Sequence, residues 1–293
     1  MDKNIVCFGE MLWDVFPNGK IAGGAPMNVA LHLHQLGAEV GFVSKVGNDQ
    51  DGRDLLDFVQ QFGLSTDQIS LDPTLPTGRV IVDDSDKENV RYEIVQPSAW
   101  DNINWTETFQ SKVEQADAII FGSLAAREGV SRNTLLQFLD TNALKVFDIN
   151  LRTSFYSFEL LQKLLSRTNI LKLNEEELQV LIDFHGFQTD SAKALDRLTN
   201  LYDLDMVCVT KGKYGADLYV EDELFSHPGY PVTVEDTVGS GDAFLSAFVS
   251  NFLKGKSPEQ ILDEACALGA LVATHRGGTP RYELADIKKV KGY

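Results

Sequence analysis

Asp236-Thr237-Val238-Gly239-Ser240-Gly241-Asp242 runs directly into Ala243-Phe244-Leu245-Ser246-Ala247-Phe248-Val249-Ser250-Asn251-Phe252-Leu253, an apolar stretch without glycine or proline. The second part reads as a helix, so the glycines lie at its N-terminus. Backbone N–H groups there have no partner inside the helix, and the helix dipole is positive. Small residues let the amides approach an anion closely, so Gly239, Ser240 and Gly241 are expected to cradle a phosphate or oxyanion. Asp242 follows at the mouth of the cradle, where a carboxylate can take a proton from a hydroxyl while the amides hold a transferring phosphoryl group. Gly-Ser-Gly before a helix is equally consistent with a plain turn and a capping aspartate. However, the set Asp236, Thr237, Gly239, Gly241 and Asp242 would recur by chance only about once in several thousand such chains, which favours function.

Outward from this turn, strand-like runs alternate with helix-like ones. Strands are expected at 4–8, 41–45, 118–122, 145–149, 169–173 and 206–210. Helices are expected at 26–36, 51–62, 131–140, 157–167, 190–200, 241–253 and 258–274. This alternation implies an α/β fold with a mostly parallel central sheet and helices on both faces. Two stretches break the rhythm. Residues 77–95 alternate apolar and polar side chains about a charged turn at 83–89. Val80 and Val82 before that turn, and Tyr92 and Ile94 after it, fit an antiparallel hairpin with one covered face. Residues 12–22 turn at Pro17-Asn18-Gly19 between extended segments. Together they imply a small β-sheet lid. The chain reads as one domain over 1–293, with lid segments inserted at about 12–22 and 77–100.

With 43% hydrophobic and 24% charged residues, the composition is that of a soluble globular protein. No apolar run approaches the roughly 20 residues that span a bilayer, so no membrane partner is expected. The apolar stretch at 5–8 suits a first strand and is too short for a signal peptide. Cys7, Cys208 and Cys266 lie far apart in apolar stretches, as buried thiols of a reducing, cytoplasmic compartment. A formal net charge of −17 argues against nucleic acid, whose phosphates demand basic patches. It does not oppose a phosphorylated ligand, which amides and one arginine can hold locally.

The turn at 236–242 with its apolar helix resembles the C-terminal signature Asp-Thr-x-Gly-[Ala/Ser]-Gly-Asp of the ribokinase-like (PfkB) carbohydrate kinases. A second signature lies about 200 residues upstream. Ala22-Gly23-Gly24-Ala25-Pro26-Met27-Asn28-Val29-Ala30 resembles the family's Gly-Gly-x-x-x-Asn-x-Ala. It is followed by Gly37 and by Val46-Gly47-Asn48-Asp49-Gln50-Asp51-Gly52, similar to the family's Val-Gly-x-Asp-x-x-Gly. Physically, Gly23 and Gly24 bring backbone against a ligand, and Asn28 offers a donor and an acceptor to sugar hydroxyls.

The resemblance implies an ATP-dependent sugar kinase and assigns further roles. It implies that Asp14, in Gly9-Glu10-Met11-Leu12-Trp13-Asp14, binds sugar hydroxyls. Arg152, in Asp148-Ile149-Asn150-Leu151-Arg152, would reach the phosphoryl group or the substrate with its planar donor fork. Asn174 and Glu177 match the family's Asn-x-x-Glu, whose implied task is to orient phosphate and the waters of a bound Mg²⁺. Three consecutive glutamates are also an ordinary charged helix start. Thr210, Gly212 and Gly215 fall on the nucleotide side. Asp236, with the segment Arg276-Gly277-Gly278-Thr279-Pro280, is where relatives often hold a monovalent cation such as K⁺; that segment departs from the family's pattern, and Asp236 is equally read as loop support.

A P-loop, a dinucleotide fingerprint and the protein-kinase motifs are all absent from the sequence. His32 and His34 fall on different helix faces, so the histidines read as structural. Within the family the N-terminal signature and Asn150-Leu151-Arg152 look most like bacterial fructokinases, which implies transfer to the 6-hydroxyl of D-fructose. A 2-keto-3-deoxygluconate kinase, with Arg79 or Arg91 facing the acid, or a ribokinase is the alternative. From a different class, a sugar- or nucleotide-binding regulator without turnover would not need Asp242. The apolar-faced lid hairpin, too small to stand alone, implies a homodimer through the lid.

Overall fold

Ile5 and Cys7 point to one side of the first strand and Val6 and Phe8 to the other, and all four are buried. A strand covered on both faces requires helices on both sides of its sheet. The computed structural model describes residues 3–83, 91–152, 154–188 and 190–292. In chain order the strands begin β1 (Asn4–Phe8), β2 (Leu12–Phe16), β3 (Gly19–Gly23), β4 (Glu39–Gly47), β5 (Ile69–Asp72), β6 (Gly78–Asp83) and β7 (Arg91–Ile94). They continue with β8 (Ala118–Gly122), β9 (Leu144–Asp148), β10 (Ile170–Asn174), β11 (Met206–Thr210), β12 (Ala216–Val220) and β13 (Glu223–His227). The helices are α1 (Ala25–Gln35), α2 (Gln50–Gln61), α3 (Glu107–Glu114), α4 (Gly129–Leu139) and α5 (Phe158–Leu165). After them come α6 (Glu175–His185), α7 (Ser191–Tyr202), α8 (Ser240–Leu253), α9 (Pro258–Ala273) and α10 (Leu284–Val290).

The main sheet has nine strands in the order β13-β12-β11-β10-β9-β8-β1-β4-β5. From β11 to β5 neighbouring strands run parallel, and β12 and β13 add an antiparallel hairpin at one edge. One core joins one face of the sheet to α1, α2, α8 and α9; a second joins the other face to α3, α4, α5, α6 and α7. The expected α/β architecture with helices on both faces is therefore present. Because the central strands are parallel, the segments after β1, β8, β9, β10 and β11 all emerge at one edge. Ligands of open α/β sheets bind at that edge.

A second sheet, in the order β3-β2-β6-β7, forms the lid. Its two hairpins are joined by a parallel pairing of β2 with β6, in which Asp14 is level with Val80 and Trp13 with Arg79. Leu12, Val80 and Val82 are buried together with Phe16 and Ile94 against them. The face expected to await a twin subunit is thus largely covered within the chain, while Tyr92 on that face and Ile81 on the other stay exposed. On the opposite face, the Trp13 indole donates to Asp51 O at 3.0 Å, and Lys20 and Arg79 both pair with Asp51 at 2.7 Å, clamping the lid to α2. The lid is shorter than 77–100: β7 ends at Ile94, and Ala99–Asn102 forms a 3-10 turn. Residues 84–89 of the expected charged turn lie outside the described residues.

Helices α3, α6 and α10 and strands β5, β12 and β13 were not legible in the alternation. α6 starts immediately after β10, with Asn174 serving as last strand residue and as N-cap. The β12–β13 turn uses Glu221 and Asp222 at φ of 51° and 61°, without the Asn-Gly pair that usually marks such a turn. Cys7, Cys208 and Cys266 are free and buried as expected.

Gly215 packs directly against the next chain segment: at φ +83° an added Cβ would lie 1.9 Å from His227 O and 2.4 Å from Gly229 N. Gly215→Ala is therefore expected to destabilise the fold by roughly 2–4 kcal/mol in a urea melt. Unchanged stability would show that this glycine is not held by packing.

Candidate active site

The N-cap of α8 is Gly239, in the left-handed region at φ 75°. An added Cβ there would meet Gly278 Cα and O at 2.4 Å, so the turn closes only with glycine. The Ser240 amide donates back to Thr237 O at 3.2 Å, and the first intrahelical bond runs from Ala243 N to Gly239 O at 2.8 Å. This corrects one expectation: the Ser240 amide is committed to the turn. The Gly241 and Asp242 amides, second and third in the helix, remain for an anion. Below them is a cation that the sequence reading passed over. Lys172 Nζ lies 3.3 Å from where a Gly241 Cβ would be, and both Asp148 oxygens accept from it at 3.0 Å. Burial alone would lower the pKa of Lys172, but Asp148, Glu177 and Asp242 more than offset this and hold it raised. The cradle thus combines two helix-start amides with a buried ammonium.

Asp242 itself receives the side chain of Asn28, whose Nδ2 donates to Oδ2 at 2.8 Å across 214 residues of sequence. Burial pushes the Asp242 carboxyl up to about 6, reinforced by Asp148, while the Asn28 hydrogen bond, Lys172 and Arg152 pull it down. Asn28 was expected to offer both amide atoms to a ligand. One of its two N–H donors goes to Asp242, and its Oδ1 is buried without a partner among the described residues. Gly278 presses on the same amide: an added Cβ there would meet Asn28 Nδ2 at 2.9 Å. The segment around Gly278 is fixed by His32, which donates from Nε2 to Gly278 O at 2.9 Å and accepts from Tyr282 at Nδ1, 3.1 Å away. Burial lowers the His32 pKa to about 4, so the ring is neutral and structural, as expected.

Asp14 is level with Ile21 and Gly23 with Leu12, so Asp14 and Gly23 are diagonal neighbours, with Asp14 Oδ2 2.5 Å from where a Gly23 Cβ would lie. Gly24, at φ 112°, presses on the backbone of Glu10, where an added Cβ would sit 2.5 Å from the carbonyl oxygen. Burial pushes Asp14 up to about 6, opposed by Arg152. Arg152 is exposed and donates to Leu151 O at 3.3 Å; its charge acts on Glu10, Asp14 and Asp242 together. Arg79, a candidate partner for an acid sugar, is tied to Asp51 on the lid face away from Asp14, and Arg91 is exposed at the start of β7.

Glu177 closes a capping box: its Oε2 accepts from Asn174 N at 2.8 Å, and Asn174 Oδ1 accepts from Glu177 N at 2.9 Å. Glu177 Oε1 also accepts from Leu151 N at 2.8 Å, so this carboxylate anchors the loop that carries Arg152. Asp236 Oδ1 accepts from Val238 N at 3.0 Å and Oδ2 from Gly277 N at 3.1 Å, tying the glycine turn to the 277–278 segment. Thr210 is level with Asn174 on the neighbouring strand. Gly212 has open space around it, whereas Gly215 is explained by its packing. The structure thus gathers Asp14, Gly23, Gly24, Asn28, Arg152, Asn174, Glu177 and the 239–242 turn at one edge. Thr210, Gly212 and Gly215 sit towards the outer hairpin.

Comparison with known proteins follows the same outline. Residues 2–283 match the family described as "pfkB family carbohydrate kinase". The chain is 29% identical to Fructokinase-1 of Oryza sativa subsp. japonica, covering 94% of this chain and 93% of that one. It is 28% identical to a fructokinase of Klebsiella pneumoniae, covering 94% and 95%. An uncharacterized sugar kinase from Pyrococcus horikoshii, solved in complex with ATP, superposes with a TM-score of 0.79 at 26% identity, covering 98% and 99%.

The raised pKa of Asp242 carries a stability signature. In the folded state it holds its proton up to about 6, against an ordinary value of 3.8. Its contribution to stability is therefore full below 3.8 and lost as pH rises through 6, above which the buried carboxylate is a cost. Asp242→Asn should raise Tm at pH 8 by roughly 2–6 °C, and the gain should vanish near pH 4. A difference from wild type that does not vary with pH would contradict this.

Proposed function

The chain belongs to the pfkB family of carbohydrate kinases, and we propose that it transfers the γ-phosphoryl group of ATP to the 6-hydroxyl of D-fructose. The observation that carries this reading is the hydrogen bond from Asn28 to Asp242, which sets the sugar-facing segment against a carboxylate at the anion cradle. Asp14 and the backbone at Gly23 and Gly24 orient the sugar. Asp242 accepts the proton of the attacking hydroxyl; with a pKa of about 6 it is ionised at neutral pH yet basic enough to take that proton. The Gly241 and Asp242 amides and the Lys172 ammonium stabilise the charge on the phosphoryl oxygens in transit, with Arg152 reaching in from its loop.

ATP as donor is supported by the buried ammonium under the two free amides, which suits a phosphate, and by the ATP complex of the Pyrococcus protein. Thr210 and Gly212 lie on that side. Mg²⁺ would neutralise the phosphate oxygens. Among the described residues no three histidine, cysteine or acidic side chains converge on one point. Both Glu177 oxygens already accept a backbone N–H, so Glu177 would hold the ion through its waters. Asp236 is assigned to loop support, since each of its oxygens takes an amide of the turn or of the 277–278 segment.

Fructose is favoured by the fructokinase names of the relatives from Oryza and Klebsiella. A 2-keto-3-deoxygluconate kinase would need a cation for the acid, and Arg79 is committed to Asp51. A ribokinase activity shares every feature of the transfer step and differs only in the sugar. A non-catalytic regulator would have no use for the buried, Asn28-bound Asp242. The homodimer through the lid rests on Tyr92, which is exposed on the lid face that carries Val82.

Sugar-dependent ADP release should appear with D-fructose, at kcat/KM at least about tenfold above that for ribose or 2-keto-3-deoxygluconate. Asp242→Ala should lower kcat by about 10²–10⁴-fold in folded protein. Absence of turnover with every sugar of a broad panel would overturn the kinase reading, and a preference for another sugar would overturn fructose alone.

A further inference from the structure

Away from the catalytic edge, the C-terminal ends of α1, α8 and α10 and the side of α9 enclose a cavity of about 500 Å³. Leu36 closes α1 above it, and Ala247, Ser250 and Lys254 come from the second half of α8. Asn28 and Asp242 lie near the starts of the same two helices. At 1.5 Å per residue, Lys254 is about 18 Å along α8 from Asp242, so the cavity is separate from the anion cradle.

The chain carries 43 acidic residues against 26 lysines and arginines, yet this cavity reverses the balance. The charged side chains that line it are Lys254, Lys256, Lys288 and Lys291, with Glu264 as the one acid. Lys291 is committed to Asp263 at 2.6 Å and to Glu264 at 3.0 Å. On α10, Asp286 pairs with Lys289 at 2.7 Å, which leaves it away from Lys288. Lys254, Lys256 and Lys288 thus have no carboxylate partner among the described residues. Lys254 Nζ donates instead to Ser250 Oγ at 3.0 Å. Ser250 is only 5% exposed, and as acceptor in that bond its hydroxyl still has a hydrogen to donate.

Cations near helix C-termini also answer the helix dipole, and Lys254 and Lys288 stand at such ends. Each end carries only roughly half a negative charge. Three ends facing three unpaired ammoniums therefore leave a positive surplus. Lys256, beyond the end of α8, adds to it from outside any helix.

The walls are apolar. Ile287 is buried beside Leu36 and Ala247, whereas Leu284 is 61% exposed at the start of α10. An enclosed space of this volume suits a small molecule, where a flat basic surface would suit a macromolecular polyanion. Lysine ammoniums act as point charges for phosphate oxygens, and one carboxylate would leave most of the three unanswered.

We propose that this cavity is a second ligand site, which takes a phosphorylated small molecule. Its phosphate is held by Lys254, Lys256, Lys288 and the Ser250 hydroxyl, and its carbon frame lies against Leu36 and Leu284. A nucleotide and a sugar phosphate share this chemistry. The site stands independently of the phosphoryl-transfer reading and goes beyond it.

Acetylation of lysines in the intact protein, mapped by mass spectrometry, tests the site directly. Pyrophosphate, ADP and fructose 6-phosphate are the probes, each against KCl of equal ionic strength, with exposed Lys163 on the opposite face of the sheet as internal control. Pyrophosphate and at least one organic phosphate should slow modification of Lys254, Lys256 and Lys288 by about threefold or more, leaving Lys163 unchanged. Protection at lower concentration by ADP than by fructose 6-phosphate identifies a nucleotide, and the reverse order a sugar phosphate. Lys256→Gln combined with Lys288→Gln should raise the concentration that protects Lys254 by about tenfold, with thermal midpoint, kcat and KM close to wild type. Protection equal to that given by KCl, equal at Lys163, or unaltered in the double variant would overturn the site. Protection by pyrophosphate alone would overturn an organic occupant. None of these outcomes bears on phosphoryl transfer, which sugar-dependent ADP release reads separately.

Discussion

The hydrogen bond from the Asn28 amide to Asp242 joins two segments 214 residues apart, and the rest of the site is arranged around it. It forms because α1 and α8 pack side by side on one face of the sheet, and because Gly278 lies between them with no side chain to intrude. Gly239 is constrained from the other side, since any Cβ there would strike Gly278. His32 and Tyr282 hold the Gly278 segment in place. A turn that looks self-contained in sequence is thus shaped by a helix near the other end of the chain.

Electrostatics set the character of this edge of the sheet. Glu10, Asp14 and Asp242 all have carboxyl pKa values pushed up by burial, in a chain whose formal net charge is −17. The proposed nucleotide, an anion, would be held at such a site by positive charge built in locally: the start of α8, the Lys172 ammonium beneath Gly241, and Arg152. Pairing Lys172 with Asp148 keeps it charged despite its burial. The lid adds a wall whose outer face is clamped to α2 through Asp51, which leaves Asp14 on the face turned the other way.

Much of this was legible in the sequence, because glycine requirements and strand–helix alternation leave local signatures. The parallel core followed from strand–helix alternation and the lid strands from period-2 alternation, whereas grouping Asp14 with Gly24, Asn28 and Asp242 rested on the family resemblance. What escaped depends on partners distant in sequence. Lys172 stands between Leu171 and Leu173 in an apolar strand, and a charge there was a signal that went unread. The commitment of the Ser240 amide to Thr237 depends on the geometry of one turn. Gly215 looked like a ligand contact and is explained by the segment at 227–229 folding onto it.

The most direct test of the central contact is the pH dependence of kcat/KM in Asn28→Ala. The Asn28 hydrogen bond lowers the Asp242 pKa, so its removal should move the acid limb upward from that of the wild type. The account predicts a limb displaced by roughly half a unit or more, together with a higher KM for the sugar. A raised KM with the acid limb unmoved would contradict it, because Asn28 would then bind sugar without tuning the base.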